Sequence, residues 1–184
     1  MDQEWYDISK EGWAHQLNLE NLDIGDIDEN MVYCWFIHPE SNEHKAILRW
    51  EQFLYHVLNK NVLVFLDAYS VHKNLKERVT ALKDNDQLYL GGWMGYSVTE
   101  ELEQTIKNHQ NIILGRRFGY CVKKHFEYLR DRTPLDRITL LKRYSFCCEN
   151  SNHIRQALEY YKGEGAHIYY GKIDDLLEAT RNEH

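Results

Sequence analysis

The chain has 184 residues, 43% of them hydrophobic, and a formal net charge of −7. The length and the apolar content are sufficient for one domain with a buried core. The acidic balance argues against general nucleic-acid binding, which depends on a basic surface that neutralises phosphates, but it is compatible with one phosphorylated small ligand. No apolar run approaches the roughly 20 residues that a membrane-spanning helix requires. We therefore expect no membrane partner.

The N-terminus and the cysteines both favour a cytoplasmic protein. The first residues lack the basic segment followed by an apolar one that marks a secretory signal. The four cysteines form no spaced framework, so we expect reduced thiols. Cys147, Cys148 and His153 suggest zinc, but adjacent cysteines are poor paired ligands. We predict no metal site and no organic cofactor.

Residues 1–30 are an acidic N-terminal arm that contains Trp5, Trp13 and a helical pattern over Ile8–Leu17. Two interpretations are open: an arm packed on the domain, and an arm that binds a partner. Residues 31–184 are predicted to form a single α/β domain.

Within that domain, residues 31–115 alternate between apolar runs and helical patterns. The predicted strands are Met31–Ile37, Val62–Leu66, Leu88–Leu90 and Asn111–Leu114, and the helices between them cover 43–59, 71–83 and 98–109. Continuous apolar strands suit a parallel sheet that is covered on both sides. We predict a three-layer α/β fold with a mostly parallel twisted sheet, flavodoxin-like or doubly wound, and helices on both faces.

Residues 116–184 are predicted to complete the sheet and the helical layers. The strands are expected at Ile138–Tyr144 and Ala166–Tyr170, and the helices at Phe118–Arg130, His153–Tyr161 and Ile173–Thr180.

The stretch from residue 81 to 115 holds the strongest ligand signal. Its first strand ends in a turn, Gly91–Ser97, that includes Gly92, Trp93, Gly95 and Tyr96. Ser97 and Glu100 have the spacing of a capping box, which starts a helix. We expect the strands on either side of this helix to pair in parallel. The turn, at the carboxyl end of a strand, is the expected site for an anionic ligand.

The run from Asp86 to Glu103 resembles the nucleoside 2-deoxyribosyltransferase superfamily, in particular its nucleoside-monophosphate N-glycosidase-like branch. The shared features are an aspartate, an apolar triplet, a Gly-Trp pair, a serine and a glutamate. The resemblance implies that Ser97 binds a 5′-phosphate, that Glu103 attacks the anomeric carbon, and that Tyr33 lies near the sugar. It also implies a homo-oligomer. The chain departs from the family after the first strand, where Phe36–Pro39 contains no glycine.

Each candidate residue has a chemical role and a plainer alternative. A carboxylate such as Glu103 stabilises or attacks an oxocarbenium-like centre, but it also suits a solvated helix surface. Asp67 is a candidate proton donor to a leaving base or a turn residue. Tyr33 is a site residue or a core residue. The guanidinium groups of Arg116 and Arg117 suit phosphate oxygens or an ordinary surface.

The sequence therefore predicts a nucleotide-binding protein, acting as a hydrolase or transferase on the N-glycosidic bond of a nucleoside 5′-monophosphate or related nucleotide. Two alternatives are open. The chain either captures a nucleotide-derived ligand without cleaving it, or serves as a protein–protein interaction or inhibitor module.

Overall fold

The computed structural model describes residues 5–14, 31–37, 52–67, 70–91, 100–115, 117–145 and 150–182. Within these ranges, no helix is long and apolar enough to cross a bilayer.

Eight described strands form two sheets. A small antiparallel sheet pairs β1 with β4, and a six-stranded sheet holds the other strands, all parallel to their neighbours. The strands are β1 (Trp5–Asp7), β2 (Val32–Ile37), β3 (Val62–Asp67), β4 (Ser70–His72), β5 (Leu88–Leu90), β6 (Asn111–Gly115), β7 (Ile138–Leu141) and β8 (His167–Tyr169).

The order of strands across the large sheet is β5-β3-β2-β6-β7-β8. Numbered along the chain within that sheet, this is 3-2-1-4-5-6, the order of doubly wound Rossmann-type sheets, whereas flavodoxin-like sheets have the order 2-1-3-4-5. The predicted α/β class with a mostly parallel sheet is confirmed. The predicted pairing of β5 with β6 is wrong, because β3 and β2 lie between them. The connection between β5 and β6 therefore crosses two strands.

The helices form layers on both faces of this sheet. One layer contains α1 (residues 52–57), α2 (Lys76–Thr80) and α6 (Ile173–Asn182), whose apolar side chains share one core cluster. The opposite layer contains α3 (Glu100–Asn108), α4 (Cys121–Arg130) and α5 (Ser151–Gly163), which share a second cluster.

Alternation along the central strand β2 supplies both clusters. Cys34 and Phe36 point into the first cluster, and Tyr33 and Trp35 into the second. Successive side chains of a strand point to opposite faces, so a continuous apolar run is what a strand covered on both sides requires. The run predicted a central strand correctly.

The described part of the N-terminal arm, residues 5–14, packs on the domain. β1 pairs with β4 (Trp5 opposite His72), while Ile8 and Trp13 are buried in the first cluster. The indole of Trp13 donates to the Ile8 carbonyl at 2.7 Å. The helical pattern over Ile8–Leu17 was a wrong prediction for residues 8–14, where turns and bends follow β1 instead.

Two further elements differ from the prediction. The expected helix over 71–83 is divided into β4, a 3-10 turn Lys73–Leu75 and the short α2. The expected strand Ile138–Tyr144 ends at Leu141 and continues as the 3-10 turn Lys142–Tyr144, where Ser145 Oγ donates to the Leu141 carbonyl at 2.8 Å. Because the strand ends early, Lys142 and Arg143 lie just beyond the carboxyl end of β7.

Candidate functional site

The carboxyl ends of the six parallel strands form one row along an edge of the sheet, here called the carboxyl edge. Asp67 and Gly115 lie directly opposite Ile37, on either side of β2. Continuing the pairing registers of β5, β7 and β8 places Gly91 beside Asp67, Lys142 beside Gly115 and Tyr170 beside Lys142. The row therefore reads Gly91, Asp67, Ile37, Gly115, Lys142, Tyr170.

The strand order reverses between β2 and β6, which defines a switch point in the middle of this row. The chain leaves β2 toward β3 on one side and leaves β6 toward β7 on the other. In open α/β sheets this divergence opens a crevice at the carboxyl ends, and ligands bind there. Gly115 lies at this switch point, is buried, and has φ 127°, a conformation that L side chains rarely adopt.

The turn that follows Gly115 holds an arginine in an unusual conformation. Arg117 has φ 56°, in the left-handed region that favours glycine, and its side chain is exposed. Phe118 is fully buried against Tyr161, at 4.9 Å between ring centroids, and its carbonyl accepts the Tyr161 hydroxyl. The Arg117 carbonyl accepts the backbone N–H of Tyr120 at 2.9 Å. These contacts fix the turn and leave the guanidinium facing outward.

One more cation, Lys142, lies beside this turn, and a second, Arg143, follows it in the chain. Lys142 Nζ lies 5.3 Å from the centroid of the Phe118 ring, and Arg143 is exposed. Among the described residues, Arg117, Lys142 and Arg143 form no ion pair, and the 3-10 turn from Lys142 to Tyr144 contains no acid in its first turn. We call these three residues the basic corner.

Only part of the predicted ligand turn lies within the described residues. Gly91 is buried and its N–H donates to the Leu66 carbonyl at 3.1 Å. Gly92, Trp93, Gly95, Tyr96, Ser97 and Arg116 lie outside the described residues. β5 is an edge strand, three strand spacings, or about 14 Å, from β6. Gly91 and Arg117 therefore do not converge on one phosphate group.

Asp67 ends β3 at the carboxyl edge, next to Ile37 of β2 and two strand spacings, about 10 Å, from Gly115. Its backbone position agrees with its predicted place at a strand end. It is the one predicted catalytic residue that the described backbone brings to this edge.

Tyr33 lies toward the opposite edge of the sheet. It is opposite Leu63 and Asn111, four residues before Ile37, so it is separated from the carboxyl edge by about 13 Å. Its ring is fully buried and stacks on the imidazole of His109 at 4.4 Å. The structure does not bring Tyr33 together with Asp67.

Glu103 also points away from the carboxyl edge. Its Oε1 lies 3.6 Å from Nε of Arg132, which follows the C-terminus of α4. α4 begins after the carboxyl end of β6, so its C-terminus lies near the amino ends of the strands. Both side chains are about one-third exposed, at 35% and 34%. Glu103 thus links α3 to α4 in the described structure.

Arg132 is the outer end of a stack of rings that starts in the sheet. The members are Phe65, Trp35, His125, Tyr128 and Arg132, and we call them the aromatic column. The successive centroid distances are 4.2, 4.8 and 5.8 Å, and the guanidinium of Arg132 lies 3.8 Å from the Tyr128 ring centroid. Trp35 Nε1 also donates to Asn111 Oδ1 at 2.9 Å.

Burial dominates the electrostatics of this column. Loss of water around the His125 imidazole holds its pKa well below the ordinary value, so His125 is neutral. Burial also raises the pKa of the Tyr128 phenol, an effect that the Arg132 charge opposes. These shifts stem from packing and do not single out a group poised for proton transfer.

The cysteines of the described part give no sign of a metal or a reactive centre. No group of three or more potential metal ligands occurs among the described residues. Cys34 is buried in the sheet, which raises the pKa of its thiol, and Cys121 is half-buried at the start of α4. Cys147 and Cys148 lie outside the described residues.

The sequence reasoning overlooked Gly115 and the basic corner beyond Arg117. Gly115 directly precedes two arginines, and Lys142 and Arg143 follow an apolar run, so both signals were present at strand ends. What was missing was the strand order that makes them neighbours. No protein-family model, curated protein or solved structure matches this chain.

Proposed function

We propose that this chain binds a nucleoside 5′-monophosphate or a related nucleotide at the carboxyl edge of its six-stranded sheet. The observation that carries the proposal is the switch point between β2 and β6, bordered by Gly115 and followed by cations without acidic partners in the described part of the chain. A crevice at this position is where doubly wound sheets hold their ligands. An acidic protein with one local group of cations suits a small anion better than a polyanion.

Capture without cleavage is the form of this proposal that the geometry favours. An N-glycosidase needs a carboxylate at the anomeric carbon. The ion pair with Arg132 directs Glu103 toward the amino ends of the strands, and the burial of Tyr33 gives that residue a packing role. Two of the three predicted catalytic residues are therefore turned away from the proposed ligand.

Hydrolysis or transfer at the N-glycosidic bond is the second candidate. Asp67 favours it, since this residue ends β3 in the same row as Gly115 and Gly91. In this form Asp67 protonates the leaving base, while Glu103 would have to release Arg132 before it reached the sugar. A homo-oligomer that completes the pocket, as the resemblance implies, belongs to this candidate.

One pair of measurements decides between the two forms. Purified protein is first denatured and the released small molecules are identified by mass spectrometry; an intact nucleotide supports capture. The protein is then incubated with the four common ribonucleoside 5′-monophosphates and their deoxy forms, and free bases are quantified by HPLC. Base release by wild type that Glu103→Gln and Asp67→Asn abolish supports cleavage. If no nucleotide binds or reacts, the proposal is wrong.

The interaction-module alternative receives less support. Residues 5–14 of the arm are packed on the domain through β1 and the buried Trp13, so this part of the arm is not displayed for a partner. Light scattering at several concentrations measures whether copies of the chain associate.

A further inference from the structure

We infer that the phosphate of the ligand is held at the basic corner, by Arg117, Lys142 and Arg143, and not at the turn that follows β5. The inference rests on the proposed nucleotide binding and specifies which end of the ligand lies where. It differs from the placement that the resemblance implies, in which Ser97 holds the phosphate.

The sequence places a glycine on one side of the switch point only. The chain continues from β2 as His38-Pro39 without a glycine. Across the crevice, β6 ends in Gly115, whose φ of 127° is one that L side chains rarely adopt. Backbone N–H groups approach a phosphate closely where no Cβ intervenes. The phosphate side of the crevice is therefore the β6 side.

The turn on that side is held in place before any ligand arrives. The buried Phe118 and its carbonyl, which accepts the Tyr161 hydroxyl, anchor the turn that contains Arg117. A non-glycine residue in the left-handed region is under conformational strain, and such strain concentrates at functional positions. Lys142, one strand along the sheet, has its Nζ 5.3 Å from the centroid of the same Phe118 ring. The two cations thus share one buried anchor.

The charge balance identifies the missing partner as an anion. The whole chain carries a net charge of −7, yet the three cations of the basic corner form no ion pair with a described residue. The nearest acid along the row, Asp67, ends a strand two spacings from Gly115, or about 10 Å. Arginine and lysine together bind phosphate by a bidentate fork and a point charge.

Aromatic surface beside the same corner suits the rest of a nucleotide. Three large hydrophobic residues are strongly exposed in the described part, and two of them, Tyr120 and Tyr170, lie here. Tyr120 follows the Arg117 turn, and Tyr170 stands beside Lys142 in the row. The exposed ring of Tyr170 offers a stacking surface to a base, while the Tyr120 ring already has Lys124 Nζ 4.3 Å from its centroid. Cations and aromatic surface together indicate a phosphorylated aromatic ligand.

The test measures binding of nucleotides and nucleosides by isothermal titration calorimetry. The probes are the four ribonucleoside 5′-monophosphates, the matching nucleosides and inorganic phosphate. The proteins are wild type, Arg117→Gly, Lys142→Gln and Lys162→Gln. The first substitution removes the cation while glycine tolerates the left-handed backbone. The control removes one exposed positive charge at the C-terminal end of α5, far from the carboxyl edge. Thermal melts verify that every variant is folded.

We expect Arg117→Gly and Lys142→Gln each to weaken binding of the preferred monophosphate by about tenfold or more, because each removes a charged hydrogen-bonding partner. Binding of the matching nucleoside should change less than threefold, and Lys162→Gln should match wild type. If the monophosphate binds wild type and both corner variants equally, the inference is overturned while nucleotide binding stands. If no monophosphate binds wild type, both the proposed function and this inference fall.

Discussion

Two groups of side chains in this molecule differ in whether their interaction partners lie within the protein. On the α3/α4 face, the aromatic column and the Glu103–Arg132 pair stack on one another from the sheet outward. At the carboxyl edge, the basic corner displays its charges without an ion pair to any described residue. The first group makes its ring contacts and its ion pair within the protein, although the buried Tyr128 hydroxyl has no hydrogen-bond partner among the described residues, and its role is to hold helices on the sheet. The second forms no ion pair with a described residue, so it is where binding is expected.

Disruption of the aromatic column at its base, where Trp35 stacks on Phe65, is expected to destabilise the fold strongly. Trp35→Ala removes a buried indole that stacks on Phe65 and donates to Asn111, so we expect a loss of about 3–5 kcal/mol in the free energy of unfolding. Urea denaturation measures it. Trp35→Phe, which keeps a ring, should cost clearly less. A loss below about 1 kcal/mol for Trp35→Ala would show that the column does not support the fold.

A fall in pH should lower the stability of the fold through His125, a member of the aromatic column. The pKa of the buried imidazole lies well below its ordinary value of about 6.5, so the unfolded chain takes up a proton as the pH falls through that value and the folded chain does not. The free energy of unfolding therefore decreases, by at most about 1.4 kcal/mol per pH unit for this group.

Urea denaturation of wild type and His125→Phe between pH 7.5 and 5.5 measures this contribution. The variant lacks the titrating ring, so its stability should depend less steeply on pH than that of wild type. Equal slopes for the two proteins would contradict the assignment of His125 as a neutral buried histidine.

Substitution at the basic corner should have the opposite effect: ligand binding should fall, while the stability of the fold should be maintained. Left-handed backbone costs a non-glycine residue about 1–2 kcal/mol, and glycine costs about 0.5–1 kcal/mol in chain entropy. Arg117→Gly is therefore expected to leave the free energy of unfolding unchanged or raise it by up to about 1 kcal/mol. Calorimetric melting checks this value. A clear loss of stability would mean that Arg117 supports the fold and is not a ligand residue.

The smallest expected effect concerns Glu103. An ion pair between side chains that are about one-third exposed contributes roughly 0–1 kcal/mol. Glu103→Gln should therefore lower the free energy of unfolding by less than about 1 kcal/mol, and the effect should shrink at high salt. A double-mutant cycle with Arg132→Gln isolates the pair. A coupling energy of zero would leave Glu103 available for another role.

The sequence predicted the layers of this fold better than their arrangement. The run from Val32 to Ile37 is apolar at every position, which indicates a strand covered on both sides. Nothing local in β5 or β6 records that β3 and β2 lie between them, because a long crossover conceals which strands become neighbours. The β1–β4 pair was not predicted either, since three-residue strands give almost no periodicity.

The same limitation explains how the candidate site was predicted only in part. Asp67, Gly91 and Arg117 were recognised as residues at strand ends, and the structure places them along one edge. Their separation across the row depends on strand order. The Glu103–Arg132 contact joins α3 to a residue that follows α4, beyond the intervening strand β6, so the local pattern around Glu103 did not indicate it.

The most direct test of the account is to map a bound nucleotide on the protein by NMR. Backbone amide shifts of ¹⁵N-labelled protein are followed while the preferred 5′-monophosphate is titrated. We predict the largest changes at Gly115, Arg117 and Lys142, with little change at Glu103 and Arg132. Changes centred on the Glu103–Arg132 pair, with the carboxyl edge unaffected, would contradict the claim that the ligand binds at the switch point.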